Sequence, residues 1–215
     1  GLQGPQEAVL CARPSLTVGS VSTWGGTEIF YDAQQVIDAA YKMLQAKGTL
    51  SGQNFSYDLT DFTRQAFTDY ANFLLKAINE AATKNDTEAY AQRRDAYLQL
   101  ILDLDELLNT NQSFMLGRWT NLARGIADEA SGTTESDKQW LELNNARTLI
   151  TTWGDRDAAE YGGLRDYSYR EWGGMLKDFY YKRWKAFFDA RDKGSTSRNW
   201  FDNDRSWAQD ASLSY

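Results

Sequence analysis

Histidine is absent from all 215 residues of the sequence. This absence excludes serine or cysteine nucleophiles that depend on a histidine base, and it excludes metal sites built on imidazole. Cys11 is the only cysteine, so the chain cannot form a disulfide within itself. No apolar run approaches the roughly 20 residues that a transmembrane helix needs, which predicts that no segment spans a membrane.

Proline is almost as scarce. Pro5 and Pro14 are the only two, and the 201 residues that follow Pro14 contain none. Because proline breaks helices, its absence favours long uninterrupted ones. The formal net charge is −7, and an acidic chain is poorly suited to nucleic acid, whose phosphates are bound by clustered Lys and Arg. Glycan or protein partners remain open.

Apolar residues recur with the 3.6-residue period of amphipathic helices. This period predicts six helices, at about 28–46, 59–83, 87–108, 114–130, 133–152 and 169–193. Thr27 and Asp86 are candidate N-caps for the first and third of them. Short connections imply that neighbouring helices run antiparallel. The predicted fold class is therefore all-α, a single up-and-down helical bundle of about six main helices with a long loop between the last two.

The chain divides into three regions on these grounds. Residues 1–26 are expected to be an irregular N-terminal segment, residues 27–193 the helical bundle domain, and residues 194–215 a loosely ordered C-terminal segment. The long loop covers residues 153–168 and holds glycines, acids and aromatic residues. Long loops in compact helical domains are usually functional or disordered, so this loop is the first place to look for a site.

Carboxylates are the only plausible catalytic groups that remain. Asp103, Asp105 and Glu106 lie on one helix and are expected to form a solvated face, because acids on one helix project outward together. A retaining glycosidase needs two carboxyls about 5 Å apart across a pocket. Acids of the loop are better candidates for polar contacts to a ligand, although solvation is the favoured interpretation for them too: Asp155, Asp157, Glu160 and Asp166. We therefore predict no catalytic residue, no metal ligand and no cofactor in this chain.

Tryptophan is abundant, with eight residues. Those at helical spacing are most simply interpreted as core: Trp119, Trp140, Trp172 and Trp184. Trp153 differs, because it directly follows a helix and opens the long loop, which Tyr167 nearly closes. Aromatic side chains present large apolar faces that can stack on sugar rings. For both residues two roles remain open, contact with a ligand or pinning of the loop.

Seven short strings in a fixed order resemble the C-terminal helical domain of the α-N-acetylglucosaminidases, glycoside hydrolase family 89. The strings are CARPSL (11–16), YDLTDFTRQ (57–65), FMLGRW (114–119), NNAR (144–147), ITTWG (150–154), DY (166–167) and YYKRW (180–184). The resemblance as a whole covers most of residues 10–190.

This resemblance implies a function. Members of the family hydrolyse terminal α-linked N-acetylglucosamine with retention, through two glutamates on a preceding (β/α)8 barrel. The helical domain packs against that barrel and closes one side of its sugar pocket. The implied partners are thus the protein's own catalytic barrel and an N-acetylglucosamine-terminated glycan. The implied location is extracytoplasmic: secreted, periplasmic or lysosome-like.

The family's pocket positions match Trp153, Tyr167 and Leu164, which are therefore the predicted substrate-binding residues. The segment 155–163 looks longer than is usual in the family, which affects the Leu164 match most. The resulting hypothesis is a non-catalytic C-terminal helical domain of a retaining exo-α-N-acetylglucosaminidase, inactive in isolation. The alternatives are an independent glycan- or protein-binding helical module and a purely structural bundle.

Overall fold

A computed structural model describes residues 6–22, 25–195 and 199–215. These residues form helices joined by turns and contain isolated backbone bridges but no β-strand, which confirms the all-α class. None of the helices in the described ranges is both long and apolar enough to cross a membrane. The α-helices are α1 (Ala33–Ala46), α2 (Gln53–Thr83), α3 (Thr87–Leu108), α4 (Leu116–Asp128), α5 (Glu135–Leu141), α6 (Arg156–Glu160), α7 (Tyr181–Asp192) and α8 (Trp200–Ala208).

The long helices agree with the predicted ones except at some ends. Helix α3 has the predicted bounds, and the Asp86 side chain caps it by accepting from the Ala89 amide at 3.0 Å. Helix α1 begins later than predicted because Asp32, not Thr27, is its N-cap. The Thr27 hydroxyl instead donates to the Val18 carbonyl at 3.0 Å. A side-chain cap therefore decided both boundaries.

The last two predicted helices contain turns that are not α-helical. Helix α5 continues into a π-helical turn, Glu142–Arg147, and a 3-10 turn, Thr148–Ile150. The predicted helix 169–193 begins only at a π-helical turn, Leu176–Tyr180, which leads into α7. Gly174, just before that turn, has φ +89°, a backbone conformation outside the helical range. The prediction of a helix from residue 169 was therefore wrong.

The core lies where α2, α3 and α7 meet. Trp184 of α7 is fully buried, and its ring meets those of Tyr97 at 4.8 Å and Phe188 at 5.8 Å between centroids. Trp140, expected in the core, is instead 59% exposed on α5. Its helix is too short and too peripheral to bury every apolar position, so periodicity alone was misleading here.

The irregular N-terminal segment contributes directly to this core. Residues 8–12 are all buried. The Trp184 indole N–H donates to the Leu10 carbonyl at 2.8 Å, and the Arg183 guanidinium donates to the Cys11 carbonyl at 2.8 Å. These bonds satisfy backbone groups that have no secondary-structure partner. Residues 1–5, 23 and 24 of the predicted N-terminal region lie outside the described residues.

The predicted loosely ordered C-terminal segment contains helix α8. Asn199 caps that helix by accepting from the Asp202 amide at 3.1 Å. Trp207 of α8 is buried, and the guanidinium of the fully buried Arg147 lies 5.7 Å from its ring centroid. Arg147 also donates to the Asp210 carbonyl at 2.8 Å. Burial and capping thus order residues 199–215, while residues 196–198 lie outside the described ranges.

Candidate functional site

The two ends of the long loop are paired by their backbones. The Trp153 amide donates to the Leu164 carbonyl at 2.9 Å, and the Asp166 amide donates to the Thr151 carbonyl at 2.6 Å. This short antiparallel pairing places Trp153 beside Leu164 and sets Tyr167 directly after the pair. The structure therefore brings together all three predicted substrate-binding residues.

The middle of the loop is more ordered than the sequence indicated. Helix α6 lies inside it, capped by the Asp155 carboxylate, which accepts from the Ala158 amide at 2.9 Å. The Leu164 amide then donates to the Ala158 carbonyl at 3.1 Å. The segment 155–163 is thus folded back around one helical turn, and Leu164 follows it next to Trp153.

The two aromatic rings of the site contact each other. Their centroids are 5.2 Å apart, with an angle of 58° between the ring planes. The Trp153 indole N–H donates to the Leu149 carbonyl, which fixes that ring to the preceding helical turn. Trp153 and Leu164 are partly exposed, and Tyr167 is 41% exposed. The group is therefore pinned to the scaffold and also presents an apolar surface. Pinning is thus observed, and contact with a ligand stays a prediction.

Asp166, the residue before Tyr167, is fully buried in an ionic cluster, which we define as Arg13, Asp166, Arg183 and Asp204. Arg183 donates to both Asp166 oxygens at 3.1–3.2 Å and to Asp204 at 3.3 Å. Arg13 donates to Asp204 at 3.1 Å. The interpretation of Asp166 as a solvated loop acid was therefore wrong.

Sequence reasoning did not identify the other members of this cluster. Along the chain, Arg183 lies 17 residues from Asp166 and 21 residues from Asp204. Arg13 lies 191 residues from Asp204. No local spacing rule links such positions. The string Tyr180–Trp184 carried the only signal, because a charged Arg183 among aromatic residues suggests a buried charge that needs a partner.

Of the three acids on the third helix, Asp103 and Glu106 are exposed as expected, and Asp105 is not. Asp105 is buried and accepts from the amides of Gly174 at 2.7 Å and Lys177 at 3.0 Å. It therefore binds backbone N–H groups where the π-helical turn before α7 begins. Burial raises the pKa of this carboxyl, while the two amides oppose the rise. Asp105 has a structural task, and no catalytic partner is needed to explain it.

Burial raises the pKa of Asp166 to about 7, with Asp204 adding to the rise and Arg183 and Arg13 opposing it. The folded chain then retains a proton between about pH 4 and pH 7 that the unfolded chain releases. By linkage, this residue's contribution to stability grows as the pH falls through 7 and declines as the pH rises.

We expect Asp166→Asn, which cannot titrate, to remove this contribution. In thermal melts at pH 8 and pH 5, the wild type should gain stability relative to the variant at the lower pH. Glu142→Gln is the control, because it also neutralises a buried carboxylate but lies outside the ionic cluster. A difference between wild type and Asp166→Asn that stays constant with pH would contradict the raised pKa.

A cleft of about 470 Å3 lies beside Tyr167. One of its buried acids, Glu171, accepts from the Thr68 hydroxyl and from Arg64, and Arg64 also donates to Asp61 at 2.9 Å. These charges therefore satisfy one another. In the described part of the chain, no group of three Cys, Asp or Glu side chains is arranged to hold a metal ion.

Comparison with known proteins gives one consistent result. The family model described as the alpha-N-acetylglucosaminidase (NAGLU) C-terminal domain matches residues 2–213. The human alpha-N-acetylglucosaminidase is 28% identical over 191 residues, which are 87% of this chain and 23% of the human protein.

Solved structures of a family 89 glycoside hydrolase from Clostridium perfringens are similar throughout. The complex with 2-acetamido-1,2-dideoxynojirmycin superposes with a TM-score of 0.91 at 30% identity, covering 99% of this chain and 24% of the bacterial one. The complex with its substrate GlcNAc-alpha-1,4-galactose has a TM-score of 0.85 at 30% identity, covering 98% and 24%. The chain spans about a quarter of the length of these relatives. It belongs to the family of alpha-N-acetylglucosaminidase C-terminal domains.

Proposed function

We propose that the chain is the non-catalytic C-terminal helical domain of a retaining, exo-acting α-N-acetylglucosaminidase. In this proposal the domain packs on a catalytic barrel, and Trp153, Leu164 and Tyr167 complete one wall of the sugar pocket. The observation that carries it is the pinned, partly exposed pair of aromatic rings with Leu164 beside them. The bacterial relative, a quarter of which matches this chain, was solved in complex with its substrate GlcNAc-alpha-1,4-galactose.

The chemistry of this wall suits orientation and not proton transfer. Two aromatic rings and a leucine offer apolar surface to the C–H face of a sugar, and two nearby acids form structural bonds. Asp155 caps α6, and Asp166 is buried with Arg183. Holding a substrate in a reactive position can supply a large part of a rate enhancement without any group that exchanges protons.

We expect Trp153→Ala in the full-length enzyme to lower kcat/KM on an aryl α-N-acetylglucosaminide by about 10–100-fold, the equivalent of about 1.4–2.7 kcal/mol of transition-state binding. Trp153→Phe should retain most of the activity, because it keeps an aromatic face and loses only the indole N–H bond to Leu149. Steady-state kinetics with both variants separates stacking from pinning.

The matched control is Trp140→Ala, which removes an exposed tryptophan from α5, outside the loop. It should leave kcat/KM within about 2-fold of the wild type. The isolated chain should show no turnover. Equal kinetics for the Trp153→Ala variant and the wild type, or clear hydrolysis by the isolated chain, would overturn the proposal. Binding of free N-acetylglucosamine by the isolated chain in calorimetry would favour the independent-module alternative.

A further inference from the structure

We propose that Arg183 is a positioning residue for the sugar pocket, and that it acts through Asp166 to fix the direction in which Tyr167 leaves the loop. This inference rests on the proposed function, since it assigns Tyr167 to the pocket wall. It goes beyond the proposed function because it gives a buried arginine on α7, outside the pocket, a role in positioning a pocket residue.

The backbone at Asp166 has an uncommon conformation. Its φ is +48°, in the left-handed region that non-glycine residues adopt only rarely and aspartate more readily than most. In this region the chain turns sharply, so the next residue, Tyr167, points away from the course of the Leu164–Asp166 segment. A conformation of this kind persists when surrounding bonds determine it. The direction of Tyr167 therefore depends on what holds Asp166.

Both ends of Asp166 are held. Its amide donates to the Thr151 carbonyl at 2.6 Å, and both of its carboxylate oxygens accept from Arg183 at 3.1–3.2 Å. This forked pairing fixes the orientation of the two groups as well as their distance. No water-exposed side chain takes part, because Asp166 and Arg183 are both buried.

Arg183 is itself fixed by three other elements. It donates to the Cys11 carbonyl at 2.8 Å and to Asp204 of α8 at 3.3 Å, and its guanidinium lies 4.7 Å from the Phe179 ring centroid. Arg13 then links Asp204 to Glu160 at the end of α6, at 2.8 Å. The N-terminal segment and α8 thus bind Arg183 directly, α6 is linked to it through Arg13 and Asp204, and Arg183 binds the Asp166 carboxylate. Such support from outside a site is what holds its side chains in a productive geometry.

The test is a double-mutant cycle in the full-length enzyme, with an aryl α-N-acetylglucosaminide as substrate. Asp166→Asn keeps a residue that tolerates the left-handed backbone, but it places an amide N–H₂ against the guanidinium. We expect it to lower kcat/KM by about 10-fold in the wild type and by no more than about 2-fold in a Tyr167→Ala background. Arg183→Lys, which loses the fork but keeps the charge, should show the same non-additivity.

Glu142→Gln is the structural control, because Glu142 is a buried carboxylate paired with Arg147 outside the loop. It should change kcat/KM by the same factor in both backgrounds. If Asp166→Asn and Arg183→Lys also act equally in both backgrounds, or leave kcat/KM unchanged, the positioning role is overturned and the proposed function stands. If Tyr167→Ala itself leaves kcat/KM unchanged, the assignment of Tyr167 to the pocket fails, and the positioning role fails with it.

Discussion

Arg183→Met should lower the free energy of unfolding of the chain by about 3–5 kcal/mol, because it leaves buried carboxylates without their cation. Methionine preserves most of the apolar stem and removes only the guanidinium. Asp166 and Asp204 then remain buried at 1% side-chain exposure or less, with Arg13 as the nearest remaining cation for Asp204. For a chain of this size the loss corresponds to a fall in Tm of roughly 6–20 °C, measured by circular dichroism at pH 7.5.

The control for this result is Arg156→Met. Arg156 also forms an ion pair, with Asp202 at 2.7 Å, and its guanidinium also lies over an aromatic ring, that of Phe201 at 4.7 Å. Half of its side chain is exposed, however, so the pair should contribute less than about 1 kcal/mol. Similar losses for the Arg183→Met and Arg156→Met variants would contradict the view that burial makes the cluster critical.

The sequence predicted a helix best where the true side-chain cap directly precedes the apolar stripe. Helix α3 has both, with Asp86 in front and a buried stripe behind, and its bounds were predicted correctly. Helix α2 begins at Gln53, before the apolar stripe, and Gly52 provides no side-chain cap. Its first turn is therefore stabilised by the long, well-packed helix that follows it. Neither a capping residue nor an apolar stripe marks this turn in the sequence.

Tertiary packing explains the segments that were predicted poorly. Residues 8–12 have no helical or alternating period, yet they are buried because Arg183 and Trp184 bind their carbonyls. Helix α8 is only nine residues long and is stabilised by burial of Trp207 against Arg147. Single-sequence periodicity cannot detect elements whose partners lie so far along the chain.

In the candidate site, too, the sequence indicated the residues at the surface but not the distant residues that support them. Trp153 and Tyr167 were candidates from their places at the ends of the loop, Leu164 came from the family resemblance, and the structure places the three side by side. The support for that group was invisible in the sequence. An isolated Asp166 in a polar loop is most simply interpreted as solvated, and only the fold brings Arg183 within hydrogen-bonding distance of it.

Trp184→Ala should destabilise the chain by about 3–5 kcal/mol, the usual cost of removing a fully buried large aromatic side chain. The substitution leaves a cavity among Tyr97, Phe187 and Phe188, whose ring centroids lie 4.8, 6.0 and 5.8 Å from that of Trp184. It also leaves the buried Leu10 carbonyl without its indole donor. Urea unfolding followed by circular dichroism measures the change.

Two further variants separate the causes of that loss. Trp184→Phe keeps an aromatic ring in the core but cannot bind the Leu10 carbonyl, so it should cost about 1–3 kcal/mol, the price of one unsatisfied buried acceptor. Trp140→Ala, at a position that is 59% exposed, should stay within about 0.5 kcal/mol of the wild type. If Trp184→Phe proved as costly as Trp184→Ala, the bond to the N-terminal segment, and not the packing of the rings, would dominate. The segment 8–12 would then be the element that Trp184 chiefly stabilises.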